Sequence, residues 1–263
     1  MNTCNIKHAK KLHSSGKIQE ANHLYIQLLK ENPNDTDLLK LISISCSQLQ
    51  QYTAAHQHID QAVSLSPDNI TLLHTKAMIL QQQQRYPEAI KYYNRALKIS
   101  PNYTQALINL GTIAYRQEKF EVAQNHYETI LAYSPDNSQA HFNLGLIATQ
   151  KNQLDQAIAH FTATLAVEPN HAKSHGQLGN IYLNQERYQD ATISLQKRLE
   201  LEPHHAQTWH SLGQAQLKLN KTQAAIESFE NCLAHDTNHP QINQDLGNAL
   251  LLAEDYNRAL SYY

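Results

Sequence analysis

Glycine is scarce in this chain, with seven in 263 residues beside four phenylalanines, one tryptophan and three cysteines. Cys4, Cys46 and Cys232 are odd in number, far apart and without a CxxC spacing. That excludes a disulfide framework and predicts reduced thiols. No apolar run reaches the roughly 18 residues a membrane-spanning helix needs. MNTCNIKHAKKLHSSGK at the N-terminus lacks the apolar region of a secretory signal. The cytoplasm is therefore the expected compartment, and the Asn-x-Ser/Thr sequons at Asn34, Asn69, Asn102 and Asn220 are chance matches. Excess charge of one sign is missing too. A net charge of −2 with 17% charged residues excludes bulk binding to nucleic acid, which needs clustered Lys and Arg.

Signatures of catalysis are equally absent. There is no HExxH, GxSxG or GxGxxG, and Gly16-Lys17 lacks the upstream glycine of a phosphate-binding loop and is followed by Ile18. No catalytic residue, cofactor or metal is expected. Histidine, by contrast, is abundant: protonating all sixteen would carry the formal charge from −2 to +14, so mild acid should loosen the chain.

What the chain does contain is a period. Ser-Pro-Asp-Asn occurs at 66–69 and again at 134–137, and Pro33, Pro67, Pro101, Pro135, Pro169 and Pro203 are each 34 residues apart. A repeat of this size marks a helical array. With each proline at position 32, repeats begin at residues 2, 36, 70, 104, 138, 172, 206 and 240. Position 20 is then alanine in all eight, from Ala21 to Ala259, and position 8 is never larger than serine and holds five of the seven glycines. Within each repeat apolar residues fall at helical spacing in two runs. Small residues recurring inside helices predict a close crossing of the two, because an unexplained glycine costs a helix up to about 1 kcal/mol. Pro87 and Pro240 fall at positions 18 and 1, where second and first helices should begin. QQQQ at 81–84 falls at a helix end and its turn. Cys46 and Cys232 occupy packing columns and read as core residues.

The pattern Trp209, Leu212-Gly213, Ala225, Phe229, and in the third repeat Ala89, Tyr93, Ala96, Pro101, resembles the tetratricopeptide repeat family over essentially the whole chain. The resemblance implies an all-α, right-handed superhelical solenoid of about eight helix-turn-helix units spanning residues 1–263 as one domain. It departs at Thr237, where proline is expected, and at His8, where leucine is usual. The first repeat, polar and carrying Lys7, Lys10, Lys11 and Lys17, suits an N-terminal cap. The last repeat stops at Tyr263, within its second helix. Leu250, Leu251, Leu252, Leu260 and Tyr262 then form an apolar edge, read either as a cut out of a longer protein or as a surface that pairs with another copy or domain.

In the resembling family the first helices line a concave groove that grips an extended peptide, through positions 2, 5, 6, 9, 12 and 13. Position 2 reads Gln105, Gln139, Lys173, Gln207 and Gln241; position 6 reads Asn109, Asn143, Gln177, Ser211 and Asp245; position 9 reads Thr112, Leu146, Asn180, Gln214 and Asn248. Tyr115 and Arg116 stand at positions 12 and 13. An amide offers a donor and an acceptor to a peptide backbone, so this run reads either as a ligand face or as the solvated side of a chain rich in Gln and Asn. Asn109-Leu110-Gly111 and Asn143-Leu144-Gly145 resemble the asparagine ladder of O-linked N-acetylglucosamine transferases. The carboxylate clamp of chaperone-binding members is not matched: Asn143 and Lys173 fit, but Ile108, Thr112 and Gln177 stand where Lys, Asn and Arg belong.

A module binding a peptide or protein segment is the expected function, with neither nucleic acid nor membrane as partner. The alternatives are the recognition arm of a larger glycosyltransferase, sulfotransferase or oxygenase, and an assembly scaffold acting through its edges. His171, His205 and His239 share position 34. Their expected separation of about 10 Å, set by helix packing, is too wide for one metal. They read as solvated turn residues, and His171 with His175 as at most half a metal site.

Overall fold

The computed structural model describes residues 2–237 and 241–262, and contains helices and turns but no strand over them. The side chains of residues 2–4, Cys4 among them, lie outside that description. So do His239, Pro240 and Tyr263, and with them the third rung of the histidine column and the expected start of the eighth repeat.

The first half of the chain, residues 1–133, is one compact unit. It holds α1 (Asn2–Ser14), α2 (Ile18–Glu31), α3 (Thr36–Gln48), α4 (Tyr52–Leu65), α5 (Ile70–Gln82), α6 (Tyr86–Ile99), α7 (Thr104–Arg116) and α8 (Phe120–Tyr133). The second, residues 134–263, holds α9 (Ser138–Gln150), α10 (Leu154–Val167), α11 (Ala172–Asn184), α12 (Tyr188–Leu201), α13 (Ala206–Lys218), α14 (Thr222–His235), α15 (Ile242–Leu252) and α16 (Tyr256–Ala259). Seven of the first helices start on the residue that the proline register predicts, from Asn2 to Ala206. Within each half, every first helix packs on the second helix of its own repeat, which packs in turn on the next first helix.

The two columns of small residues have distinct work. The position-20 alanines are all at most 1% exposed. The position-8 residues face a bulky partner at position 24 of the same repeat: a Cβ on Gly111 would lie 2.6 Å from the Tyr127 ring, one on Gly145 2.6 Å from Phe161, and one on Gly213 2.5 Å from Phe229. Those rings are fully buried. Glycine at these positions is thus the space a ring fills, and burial of the ring contributes roughly 2–3 kcal/mol against the helical cost of the glycine.

Each first helix ends in the same turn. Position 15 is left-handed in every repeat: Gly16 in the first, at φ 83°, then Gln50, Gln84, Glu118, Asn152, Glu186, Asn220 and Glu254, these seven with φ between 55° and 61°. The next amide reaches back five residues, as in Arg85 N–H to Leu80 O at 3.0 Å and Lys221 N–H to Gln216 O at 2.9 Å, which satisfies carbonyls the helix end would orphan. Gln82, Gln83 and Gln84 make one such turn, and Pro87 lies in the first turn of α6.

Second helices hand over to the next first helix through position 34, which is an N-cap column. Asp35 Oδ1 accepts from Leu38 N–H at 3.0 Å, Asn69 Oδ1 from Thr71 N–H at 3.0 Å, and Asn137 Oδ1 from Ala140 N–H at 2.8 Å. The histidines of this column do the same. His171 Nδ1 accepts from Ser174 N–H at 3.2 Å and His205 Nδ1 from Thr208 N–H at 3.3 Å. They are half-buried caps, which corrects their reading as solvated turn residues. His175 donates Nε2–H to the Pro169 carbonyl at 2.8 Å.

A cap of this kind requires neutral imidazole. Burial above all pushes both His171 and His205 below the usual 6.5, as it does His58, His74 and His126. Below pH 6.5 the unfolded chain binds protons that the folded chain refuses, so stability present above that value is lost as pH falls toward and through the depressed folded values. The melting temperature should hold between pH 8 and 7 and fall between pH 6.5 and 5. Replacing both caps with the asparagine found at positions 69 and 137 should make that fall shallower. An unchanged slope in His171→Asn/His205→Asn, read by circular dichroism, would remove the caps from the account.

Cys46 and Cys232 are buried, and burial raises both thiols, Cys232 to about 11. The expected apolar edge of the last repeat is narrower than its leucines suggested. Leu250 is fully buried with Ile242 and Leu246, while Leu251, Leu252 and Leu260 are exposed.

Candidate peptide-binding surface

The expected site residues sit on the first helices, where their spacing places them along one face. In the first half, α7 carries Gln105, Asn109, Thr112, Tyr115 and Arg116, of which Gln105 and Arg116 are exposed and the others half-buried. Thr112 Oγ1 donates to Ile108 O at 2.9 Å and meets the Tyr127 hydroxyl at 3.3 Å, so it serves the helix and the core. Tyr115 stands edge-on to Phe120 at 5.5 Å between ring centroids. Asn109 and Arg116 share a cavity of about 260 Å³ with Met78, Gln81, Gln82 and Tyr86.

In the second half, Gln139 and Asn143 on α9 and Lys173 on α11 come together around a cavity of about 340 Å³, beside Ser138, Phe142 and His171. Phe142 packs edge-on to the His171 ring at 4.7 Å, and Ser138 donates to the Glu168 carboxylate, which fixes this wall. Gln177 and Asn180 on α11 and Gln214 on α13 are half-buried, and Gln207 is exposed. The described cavities bring none of these four to that wall. Ser211, counted in the same column, is buried.

The amides are less free than the sequence implies. Asn109 Nδ2 donates to Gln105 O at 2.9 Å and to His74 Nε2 at 3.0 Å, and Asn143 Nδ2 donates to Gln139 O at 2.8 Å. Both donors of Asn109 are thus held by the protein, which leaves its carbonyl oxygen for a ligand, while Asn143 keeps one N–H as well as its carbonyl oxygen. His74 was missed as part of this surface. Its bond to Asn109 joins position 5 of one repeat to position 6 of the next, 35 residues on, and His210 Nε2 reaches Asp245 Oδ2 the same way at 2.6 Å. Position 5 at these two places therefore belongs to the contact between repeats and not to an open face. The one-residue excess over the period was the available signal.

Three tetratricopeptide repeat family models match residues 68–136, 114–159 and 210–263, together more than half of the chain. The chain belongs to the tetratricopeptide repeat family. A fourth model, of anaphase-promoting complex, cyclosome, subunit 3, matches residues 150–232 of this tetratricopeptide repeat protein. No curated protein matches it. Among solved structures it is similar to a chain of the APC/C hetero-tetramer Cut9–Hcn1, at 19% identity and a TM-score of 0.70 over 92% of this chain and 48% of that one. It thus spans about half the length of that neighbour. PilF of Pseudomonas aeruginosa matches at 16% identity and a TM-score of 0.71, over 80% of this chain and 95% of its own. YrrB, described as a tetratricopeptide repeat protein with an unusual peptide-binding site, matches at 21% and 0.54, over 71% of this chain and 96% of its own. At these identities the shared property is the fold. Among the described residues no helix is long and apolar enough to cross a membrane.

Proposed function

We propose that this tetratricopeptide repeat protein is an interaction module that holds an extended polypeptide segment against its first helices. The observation that carries the reading is the clustering of Gln139, Asn143 and Lys173 around one cavity, with Asn109 and Arg116 sharing another. With the Asn109 NH₂ held by Gln105 O and His74, and one N–H of Asn143 held by Gln139 O, both amides offer carbonyl oxygens to the backbone N–H groups of a ligand, and Asn143 one further N–H. Lys173 and Arg116 supply cations for its carboxylates. Each neutral bond contributes only about 0.5–1.5 kcal/mol, so affinity is spread over many contacts. The peptide-binding site in the description of YrrB and the hetero-tetramer of Cut9–Hcn1 agree with an interaction role.

The test is recovery of partners from lysate by wild type and by Asn143→Ala/Lys173→Ala, with Asn109→Ala/Arg116→Ala examined separately. Circular dichroism first establishes that each variant folds. Partners lost with either variant, and restored with the wild-type residues, support the reading. Partners retained equally by both would make these amides a solvated face and move the binding surface elsewhere.

A further inference from the structure

Outside that face, the second half carries a groove of about 580 Å³ between the second helices α12 and α14, floored by α13. Leu199, Trp209 and Leu212 make its apolar floor, Gln216 lies among them, and Glu200 and Glu227 stand on its two walls. Trp209 is the only tryptophan in the chain. Its indole N–H is already spent on the Pro203 carbonyl at 2.7 Å, so it offers the groove a ring and no donor.

Three observations define what fits. Gln216 is 7% exposed, and its Oε1 accepts from Ser228 Oγ at 2.7 Å, which leaves its NH₂ as a donor at the groove floor. The Glu227 carboxylate has no ion pair among the described residues, and Glu200 is held only from outside, by Lys197 at 2.7 Å. The third is an occupant of the corresponding place in the first half. Between α4 and α6, above α5, the chain fills the groove with its own Lys76. That ammonium lies 2.5 Å from the Asp60 carboxylate and 4.3 Å from the centroid of the Tyr92 ring. Lys76 stands at position 7, and the residue at position 7 of the seventh repeat is Leu212. By the same register Asp60 and Tyr92 correspond to Gln196 and Ser228, so the α12–α14 groove surrounds the place of the missing lysine with a ring and carboxylates from other positions, Trp209, Glu200 and Glu227.

We propose that the α12–α14 groove binds an arginine or lysine side chain of a partner polypeptide, seated over the Trp209 ring and met by Glu227 and Glu200. The Gln216 NH₂ donates to a backbone carbonyl of the same segment. This surface is separate from the first-helix face, and its occupant is basic where that face carries Lys173 and Arg116.

Because Trp209 is the one tryptophan of the chain, its fluorescence is a local signal from this groove. The probe is acetyl-Ala-Arg-Ala-Arg-Ala-amide, titrated at low salt against its citrulline counterpart, which keeps the shape and loses the charge. The arginine peptide should change Trp209 emission saturably, and the citrulline peptide should bind at least about fivefold more weakly. Glu200→Gln/Glu227→Gln, at exposed positions where folding is checked by circular dichroism, should weaken the arginine peptide by about tenfold. Lys173→Ala should leave binding unchanged, so failure of the first-helix reading and failure of this one are distinguishable. Equal binding of the citrulline peptide, unchanged binding by the double glutamine variant, or no saturable response would each overturn the assignment. So would an emission change that follows self-association in sedimentation.

Discussion

Phe229→Ala should lower the stability of the repeats around it by about 3–5 kcal/mol, the usual cost of deleting a fully buried aromatic. The ring has no exposed surface and occupies the gap that Gly213 leaves on α13, 2.5 Å from where a Cβ would stand. Removing it leaves a cavity that no neighbouring backbone can close, since the helices already touch at the glycine. In a repeat array stability is a sum of local and nearest-neighbour terms. Amide exchange should therefore rise first in α13 and α14, with α9 and α10 the least affected. Uniform loss of protection across residues 134–237 would show that this half unfolds as one body and would refute the local account.

Gly111→Val should be nearly as damaging, at about 3 kcal/mol, while Gly111→Ala should be close to neutral. The contrast comes from the chain itself. Tyr127 fills the space at Gly111, yet Ala9 faces Tyr25 and Ala77 faces Tyr93 at the same two positions, all fully buried. A tyrosine ring opposite one methyl group is thus already accommodated twice in this half. The helical gain of alanine over glycine, up to about 1 kcal/mol, offsets the shift of the ring. Two γ-methyl groups have no such precedent in the column. Denaturant midpoints of the two variants decide it, and a large loss on Gly111→Ala would mean that the ring cannot move.

Much of the fold was legible because proline, glycine and alanine each have one dominant steric role, and their columns line up under a 34-residue period. The bulky column at position 24 was harder to see. It holds Tyr25, Ile59, Tyr93, Tyr127, Phe161, Leu195 and Phe229, which share size and burial but no single chemistry. The histidine caps were obscured for a related reason. Imidazole is an uncommon cap, although Asp35, Asn69 and Asn137 in the same column name the job.

At the candidate surface the residue types and their face could be read from spacing alone. Which atoms remain for a ligand could not, because the amide of Asn143 is decided by a rotamer that turns its donor back to Gln139 O. The groove at Trp209 was out of reach for a different reason. Its walls come from two repeats and three helices, and no linear pattern joins Glu200 to Glu227.

The left-handed residue that closes every first helix also makes the array intolerant of a shift in phase. The turn is set by backbone hydrogen bonds, so its side chains vary freely among Gln, Glu, Asn and Gly. Its length does not vary at all. One residue inserted between Leu80 and Tyr86 would rotate α6 by about 100° about its axis. Ala89 and Tyr93 would swing away from Ala77, and Glu88, Tyr92 and Arg95 would be carried into the buried places of Ala89, Tyr93 and Ala96. Reading frame within the repeat, more than residue identity in the turn, is what the architecture polices.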